Sequence, residues 1–407
     1  MNPTRRLADP MLFWLALLLT GVGMLFIFDA GYARSLRDGR GMVPREFYMQ
    51  LPYLAVGLLL AFNLAKLNPQ KLKRWSGGLF VLGMASVAIL EFPGVGPEMS
   101  GAHRWIGRSP FLFQPAEFFK IAAILYLAGV FADRKAWPTK MPRFPNFWAQ
   151  LDATFWPKVR RMLPAIWVFL GVFLIEREPD LGTAAVVAFT SFVMFILGGA
   201  SWRTLAFGGV LLLLCTFLMV KAQPYRMERI TNHTQRWEAK NIDDVGFQTV
   251  QSELAQASGG VVGVGVGAGR AKHVIPATTT DFIMATVGEE FGLLGSVVVI
   301  GLIGTLVARL LWLAERAKTR FGMLVLGGVG VWIGIQACTN VMMANGLLPA
   351  IGIPLPFISS GGSSLIALWM AMGLCQAALR SVPVPKEAMI EADRDRWRHG
   401  RARLSRA

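Results

Sequence analysis

The 407 residues are 54% hydrophobic and only 16% charged, and their mean hydropathy is +0.47. A soluble chain of this length carries about 25% charged residues and arranges its apolar side chains in amphipathic stripes, so the composition excludes an ordinary soluble protein. The net charge of +16 would suggest nucleic acid binding in a soluble chain, but in a membrane protein it reports orientation and contact with anionic lipid, and no nucleic-acid partner is expected.

Apolar runs long enough to cross a hydrocarbon core of about 30 Å recur along the chain. They predict an all-α polytopic membrane protein with about ten transmembrane helices and one large extracytoplasmic loop. The predicted spans lie near residues 11–28, 47–65, 76–92, 118–132, 163–176, 181–199, 204–220, 283–308, 321–343 and 363–380.

Ten spans place both ends of the chain on one side of the membrane. With the amino terminus inside, 26 Lys and Arg residues lie in cytoplasmic segments and 14 lie on the opposite side. The positive-inside rule therefore predicts that both termini are cytoplasmic, in the inner membrane of a bacterium. A transmembrane domain over 1–383 is then followed by a charged cytoplasmic tail at 384–407.

Two long segments, 93–117 and 221–282, are predicted to be external. The larger one is rich in glycine over 259–269, a pattern that superficially matches a phosphate-binding loop. No strand precedes this run and it faces outside, so we interpret it as a close-packed re-entrant turn.

Ionisable side chains gather near the predicted outer ends of the helices. Each costs about 2.5–3.5 kcal/mol at bilayer depth, so it needs a partner or a function. The candidates for substrate binding are Arg104, Glu117, Lys120, Asp180 and Glu289. An internal salt-bridge network and a polar cavity that opens outward are both compatible with them, and their clustering towards one side favours the cavity.

Prolines and glycines interrupt the chain over 346–356, and a run of serines and glycines follows at 359–364. This density cannot form a lipid-facing helix, but it fits a segment that lines a cavity. Ser359 and Ser363 are candidate ligands there, because hydroxyls and free backbone N–H groups suit an anionic or sugar-like molecule.

Four stretches of the sequence resemble the shape, elongation, division and sporulation (SEDS) family, which includes FtsW, RodA and SpoVE. The resemblance runs through nearly the whole chain and is slightly stronger to the division branch. The matching stretches are 101–106 with 114–117 and Lys120, 179–183, 280–283 with 288–292, and 346–349 with 354–364.

The resemblance implies a peptidoglycan glycosyltransferase that polymerises lipid II, moving a growing glycan from its undecaprenyl diphosphate carrier to the 4-hydroxyl of an incoming sugar. Arg104 and Lys120 are the cations available for the diphosphate. It also implies a class B penicillin-binding protein as partner. No cofactor is certain; the external acids could hold a divalent cation, although no ligand spacing is diagnostic.

The acceptor hydroxyl needs a general base, which must be a carboxylate or a histidine. The family's catalytic aspartate precedes an aromatic-Gln…Gln-Ser stretch, which here lies at 247–252 and implies Asp244, or else Asp243. The usual Asp-Pro-x-Gly-x-Gly run is absent, so Asp281 is the alternative base, although it also suits the cap of the eighth span.

Two other functions remain open. A flippase for lipid II would use the same lipid groove and cations without a base on the solvent side. A non-catalytic scaffold of the division or elongation machinery would tolerate the loss of all three aspartates.

Overall fold

The computed structural model describes residues 8–39, 41–92, 94–98, 103–108, 111–133, 163–221, 224–239, 241–242, 244 and 246–380. The predicted tail at 384–407 and Asp243 lie outside these ranges. The described chain is mostly helical, with one two-stranded antiparallel hairpin before the fourth long helix.

Ten helices of fifteen or more residues form the bundle within the described ranges. They are α1 (Pro10–Arg37), α2 (Arg45–Leu64), α3 (Pro69–Ala88), α4 (Pro115–Ala132), α5 (163–177), α6 (Leu181–Leu197), α7 (Trp202–Lys221), α11 (Ile283–Glu315), α12 (Arg320–Ala344) and α13 (Gly362–Leu379). The shorter elements are β1 (Ile106–Arg108), β2 (Phe111–Phe113), α8 (Pro224–Thr234), α9 (Phe247–Gly259) and α10 (Ala271–Val274).

The predicted polytopic helical fold is confirmed. Six helices, α1, α2, α4, α11, α12 and α13, are individually long and apolar enough to cross a membrane. Helix α3 begins at Pro69, before the third span predicted near residues 76–92. Asn68 caps the helix by accepting a hydrogen bond from the Gln70 N–H, so the helix starts among polar residues that the hydropathy pattern excludes.

One end of the bundle is closed by contacts between its first and last helices. The Asp9 N–H donates to Gln376 Oε1 (2.8 Å), and Gln376 Nε2 donates to the Asp9 carbonyl (2.6 Å). Arg309 of α11 donates to the Asp9 carboxylate. The start of α1 and the end of α13 therefore lie at the same end of the bundle, as an even number of spans requires.

At the opposite end, the segment between α7 and α11 folds onto the bundle. Helix α9 packs along α11, and Ser252 Oγ donates to the Ala344 carbonyl at the end of α12 (2.7 Å). Arg236 is paired with Glu253 (2.7 Å) beside Gly346. This segment therefore lies against the loop that joins α12 to α13.

Residues 259–269 form a glycine-rich loop, named the glycine loop. Its backbone hydrogen-bonds to α11 at the point where that helix is interrupted. At Gly292 the backbone is non-helical (φ 64°), so the Leu293 and Leu294 N–H groups bond instead to the carbonyls of residues 260 and 261 (2.9 and 3.1 Å). In exchange, the N–H groups of residues 264 and 265 bond to the Glu289 and Glu290 carbonyls (2.9 and 3.1 Å). The predicted close-packed turn is thus present in the structure.

The Glu289 and Glu290 carboxylates close the same loop from inside. Glu289 accepts hydrogen bonds from the N–H groups of Arg270 and Ala271 (both 2.8 Å). Glu290 accepts from the N–H groups of residues 267 and 269 (2.9 and 3.1 Å) and from Lys272 Nζ (2.6 Å). Buried carboxylates require such partners, and here the backbone of the glycine loop and of the two residues after it provides them.

Substitution of Gly263 by alanine is expected to destabilise the protein by more than about 2 kcal/mol, because φ is +88° and a Cβ would lie 2.1 Å from the Glu290 carbonyl oxygen. Thermal unfolding of the detergent-purified protein measures the effect. Gly304→Ala is the control. Gly304 lies on α11, where an added Cβ would meet open space, so this variant should unfold at or above the wild-type temperature. Equal unfolding temperatures for the two variants would contradict this packing of the loop against α11.

Candidate active site

Four segments meet at the end of the bundle that carries the glycine loop. They are the turn between α5 and α6, the hairpin that leads into α4, the residues just before α11, and the segment between α12 and α13. Each has a polar side chain at or beside a helix terminus, where backbone groups lack helical partners. The sequence-predicted residues Arg104, Asp180, Asp281, Ser359 and Ser363 all belong to this region.

Arg104 is anchored to the turn between α5 and α6. Its Nε donates to the Glu178 carbonyl (2.9 Å), and its Nη2 donates to the Pro179 carbonyl. The side chain is half-buried, and its Nη1 makes no hydrogen bond with the described residues. The guanidinium is therefore held in position and retains donors for an anionic ligand.

Both carboxylate oxygens of Asp180 accept hydrogen bonds within the protein. One oxygen caps α6 by accepting from the Thr183 N–H (3.0 Å), and the other accepts from Gln114 Nε2 (2.9 Å). The Gln114 N–H in turn donates to Ser363 Oγ at the start of α13 (2.9 Å). Asp180 and Ser363 therefore link α4, α6 and α13, and their prediction as substrate ligands stays a prediction.

Asp281 immediately precedes α11, and its backbone is fixed from two sides. Asn340 Nδ2 donates to the Asp281 carbonyl (2.8 Å) and to the Ile353 carbonyl (2.7 Å). Ser359 Oγ donates to the Thr280 carbonyl and accepts from the Leu355 N–H (2.9 Å). The loop that carries Asp281 is thereby joined to the proline-rich segment before α13.

The Asp281 carboxylate itself is half-buried and makes no hydrogen bond with any described residue. Burial, assisted by the neighbouring Asp180 charge and opposed by Arg104, raises the pKa of Asp281 to about 6. A carboxylate that is positioned, unpaired and close to neutral in pKa has the properties of a general base.

Glu178 is buried in the same turn, and both of its carboxylate oxygens lack a partner among the described residues. Burial raises its pKa to about 9. The charges of Asp180 and Glu91 also raise the pKa, whereas the charge of Arg104 lowers it. The side chain is therefore protonated at neutral pH. A neutral carboxylic acid has nearly the shape and polarity of a glutamine side chain.

Glu178→Gln is expected to leave polymerisation at neutral pH close to wild type, because it replaces a protonated acid by an amide of the same shape. As pH rises from about 4.5, the ordinary pKa of a glutamate side chain, to about 9, the wild type should lose thermal stability relative to the variant, and the difference should level off above about pH 9. Melting curves at neutral and alkaline pH make the comparison. A parallel alkaline loss in both proteins would show that Glu178 is not the titrating group.

Glu117 and Lys120 lie in the core between α4 and α12. Lys120 Nζ donates to Glu117 Oε1 (2.8 Å) and to Gln336 Oε1 (3.0 Å), and it lies 5.1 Å from the centroid of the Trp332 ring. Gln336 Nε2 continues the chain of contacts to the Pro354 carbonyl (2.9 Å). The structure thus gives Lys120 internal partners, and its role in binding a diphosphate stays a prediction.

The other predicted residues lie outside this cluster. Glu289 is bound by the backbone after the glycine loop. Asp244 is exposed in the turn before α9, and Asp243 is outside the described residues. Of the two predicted catalytic aspartates that the structure describes, Asp281 lies near Arg104 and Asp180, whereas Asp244 does not belong to this cluster.

Asn340, Gln336 and Gln114 organise the cluster but were not predicted from the sequence. Asn340 and Gln336 are fully buried within an apolar helix, and a polar side chain inside a transmembrane span is the signal that could have identified them. Gln114 lies within a stretch that carries the family resemblance, so the resemblance indicated its position but not its role.

Two further observations limit what the site can hold. Across the described ranges, no group of three or more His, Cys, Asp or Glu side chains could ligate a metal ion, and the divalent cation stays a prediction. An apolar cavity of about 270 Å³ lies between α5, α6 and α7, but its lining contains no acid or base. That cavity therefore cannot supply a general base or a cation for a diphosphate.

The chain was compared with known protein families and curated proteins. Residues 10–382 match the family model FTSW_RODA_SPOVE, described as "Cell cycle protein". "Probable peptidoglycan glycosyltransferase FtsW" of Trichlorobacter lovleyi is 30% identical, over 92% of this chain and 95% of that protein. "Stage V sporulation protein E" of Bacillus subtilis is 32% identical, over 90% and 95% of the two chains.

Solved structures show the same architecture. A chain from work on the coordination of polymerization and crosslinking by a peptidoglycan synthase complex superposes with a TM-score of 0.72 and 29% identity, covering 91% of this chain and 97% of that one. The rod shape determining protein RodA of Thermus thermophilus gives a TM-score of 0.64 and 27% identity, over 93% and 98%.

Proposed function

Because this chain belongs to the FtsW/RodA/SpoVE family of cell cycle proteins, we propose that it polymerises lipid II with Asp281 as the general base and Arg104 as the cation that stabilises the leaving diphosphate. The chain is a peptidoglycan glycosyltransferase and a multi-pass membrane protein. One observation carries the assignment of the site: the Asp281 carboxylate is positioned by its backbone contacts while the carboxylate itself makes no hydrogen bond with the described residues.

The reaction joins two lipid-linked sugars. In the proposed step, the oxygen of the acceptor 4-hydroxyl attacks the anomeric carbon of the donor while an Asp281 carboxylate oxygen accepts the proton of that hydroxyl. The bond from that carbon to the carrier diphosphate breaks, and the diphosphate leaves with the electron pair. Arg104 is suited to stabilise the negative charge on this leaving group, since it carries a fixed positive charge with unused donors.

A lipid-carried donor needs a site that opens both to the bilayer and to water. The cluster is formed where helices of the bundle end and external loops begin, so a diphosphate bound there can keep its polyprenyl chain in the membrane. The excess of Lys and Arg in the opposite segments supports an orientation with this end outside a bacterial inner membrane and both termini in the cytoplasm.

A class B penicillin-binding protein, a transpeptidase, is the proposed partner. The structurally similar chain from a peptidoglycan synthase complex supports this, because that work concerns polymerization together with crosslinking. A polymerase and a transpeptidase in one complex would crosslink strands as they are made.

The proposed reaction predicts a specific pH dependence, which also tests it. The purified protein, alone and with its transpeptidase partner, is given lipid II, and glycan strands are resolved on a gel. Because only the carboxylate form of Asp281 accepts a proton, the rate should fall as pH decreases through about 6 and level off above about 7. A polymerisation rate that is unchanged down to pH 5 would contradict Asp281 as the base.

A further inference from the structure

The glycine loop exposes four valine side chains at the end of the bundle that holds the candidate site. Val262 and Val266 are 74% and 71% exposed, and Val261 and Val264 are also exposed. Isolated apolar residues on a surface are common, but a contiguous apolar patch on a loop marks an interaction surface.

The depth of the loop relative to the bilayer follows from α11. A helix needs about 20 residues, at about 1.5 Å each, to cross the hydrocarbon core. Arg309 lies at the end of α11 that contacts Asp9, and counting about 20 residues back from it reaches Glu289 and the kink at Gly292. The loop is hydrogen-bonded to this part of α11, so it lies at the edge of the hydrocarbon core.

The valines continue the lipid-facing surface of α11. Leu293, Leu294, Val297 and Val298, which follow the kink, are all more than half exposed. The most apolar window of α11 is only 22% buried inside the protein, so most of that window faces the membrane. The loop bonds directly to Leu293 and Leu294, and the two apolar surfaces therefore join without a break.

A loop can enter hydrocarbon only if its backbone polar groups have partners. In the glycine loop, the N–H groups of residues 263, 264, 265, 267, 268 and 269 all donate hydrogen bonds within the protein. Two of them end on the Glu290 carboxylate, and the carbonyls of residues 260 and 261 accept from α11. The loop thus satisfies most of its backbone N–H groups internally while its valine side chains are exposed.

We propose that the glycine loop is a membrane wedge: its valine side chains insert into the acyl chains of the leaflet next to the candidate site. The occupant of the patch is lipid hydrocarbon, and the Glu290 carboxylate makes insertion feasible by binding the backbone N–H groups from the protein side. The wedge stands independently of the proposed reaction, because it rests on exposure, depth and hydrogen bonding alone.

The test uses the full-length chain in nanodiscs, with a polarity-sensitive fluorophore on a cysteine at position 262. Cys215, Cys338 and Cys375 are first replaced so that Val262→Cys is the only labelled site. The phosphatidylcholine is brominated either near the head group or near the methyl end of its chains. Two matched sites complete the set: Val298→Cys on the lipid-facing side of α11, and Glu238→Cys in the exposed polar segment before α9.

The expected result is a loss of fluorescence at position 262 that approaches the loss at position 298 and is strongest with bromine near the head group. The label at position 238 should stay unquenched by either lipid and accessible to iodide in water. Quenching at position 262 no greater than at position 238, together with iodide access, would overturn the wedge. The same would follow if only addition of the transpeptidase shielded the label, since the patch would then be a protein-binding surface.

Discussion

Asp281→Asn is expected to abolish glycan polymerisation, with a loss of about 10²–10⁴-fold, because it removes the group that accepts the proton of the attacking hydroxyl. The substitution keeps the size of the side chain and leaves the Asp281 and Thr280 carbonyls free to accept from Asn340 and Ser359. A gel assay of glycan strands from lipid II measures the loss.

The stability of the same variant separates a catalytic role from a structural one. The folded protein binds a proton at Asp281 more tightly than the unfolded chain, because the pKa rises from 3.8 to about 6 on folding. Stability contributed by this proton is present at acid pH and is lost as pH rises through about 6, so the ionised side chain opposes folding at neutral pH. Asp281→Asn should therefore melt at or above the wild-type temperature at pH 7.5.

Asp244→Asn is the matched control, since Asp244 is exposed and lies in the turn before α9. It should polymerise lipid II at the wild-type rate. If Asp281→Asn is active and Asp244→Asn is inactive, the base lies in that turn, as the family resemblance implied. If both variants polymerise normally, neither Asp281 nor Asp244 is the base, and Asp243 is the predicted candidate that remains.

Lys120→Met is expected to destabilise the protein by about 3–5 kcal/mol, because it leaves the buried Glu117 carboxylate without its counter-charge. Both side chains are 3% exposed, and Glu117 Oε2 already lacks a partner among the described residues. The measurement is the melting temperature of detergent-purified protein, with the yield of folded protein as a second readout.

The double variant Glu117→Gln with Lys120→Met distinguishes the two roles of Lys120. It removes both charges together, so it should recover much of the lost stability. Polymerisation by the recovered double variant would show that Lys120 is a structural residue. A single Lys120→Met variant that melts like the wild type but does not polymerise would instead establish Lys120 as a substrate ligand, the role predicted from the sequence.

The helices were predictable because the bilayer imposes one simple requirement, a long uncharged run. Helices extend beyond the predicted spans where polar residues continue them past the hydrocarbon, as at the start of α3, since hydropathy detects depth and not backbone conformation. The tight turn after α5 and the re-entrant glycine loop were also predictable, because short connections and repeated glycines leave few alternatives.

The candidate site was predictable in composition but not in geometry. The clustering of Arg104, Asp180 and Asp281 could be predicted because ionisable side chains near helix ends cost free energy at bilayer depth unless they have partners or a function. Spacing could not tell that Glu289 faces backbone N–H groups or that Lys120 faces Glu117 and Gln336, because those contacts join residues distant in sequence. The same limit left Asp244 as the preferred base and Asp281 as the alternative until their surroundings were compared.

The contacts of Asp9 with Gln376 and Arg309 hold the start of the first helix beside the end of the last one. Helix α13 packs along α2 and touches α1, so the last span completes a ring that the first span opens. A circularly permuted chain, with a short linker from Arg380 to Ala8 and new ends in an external or cytoplasmic loop, would keep every span in its original direction. Protein domains fused at Ala8 and Arg380 would likewise emerge at the same end of the bundle.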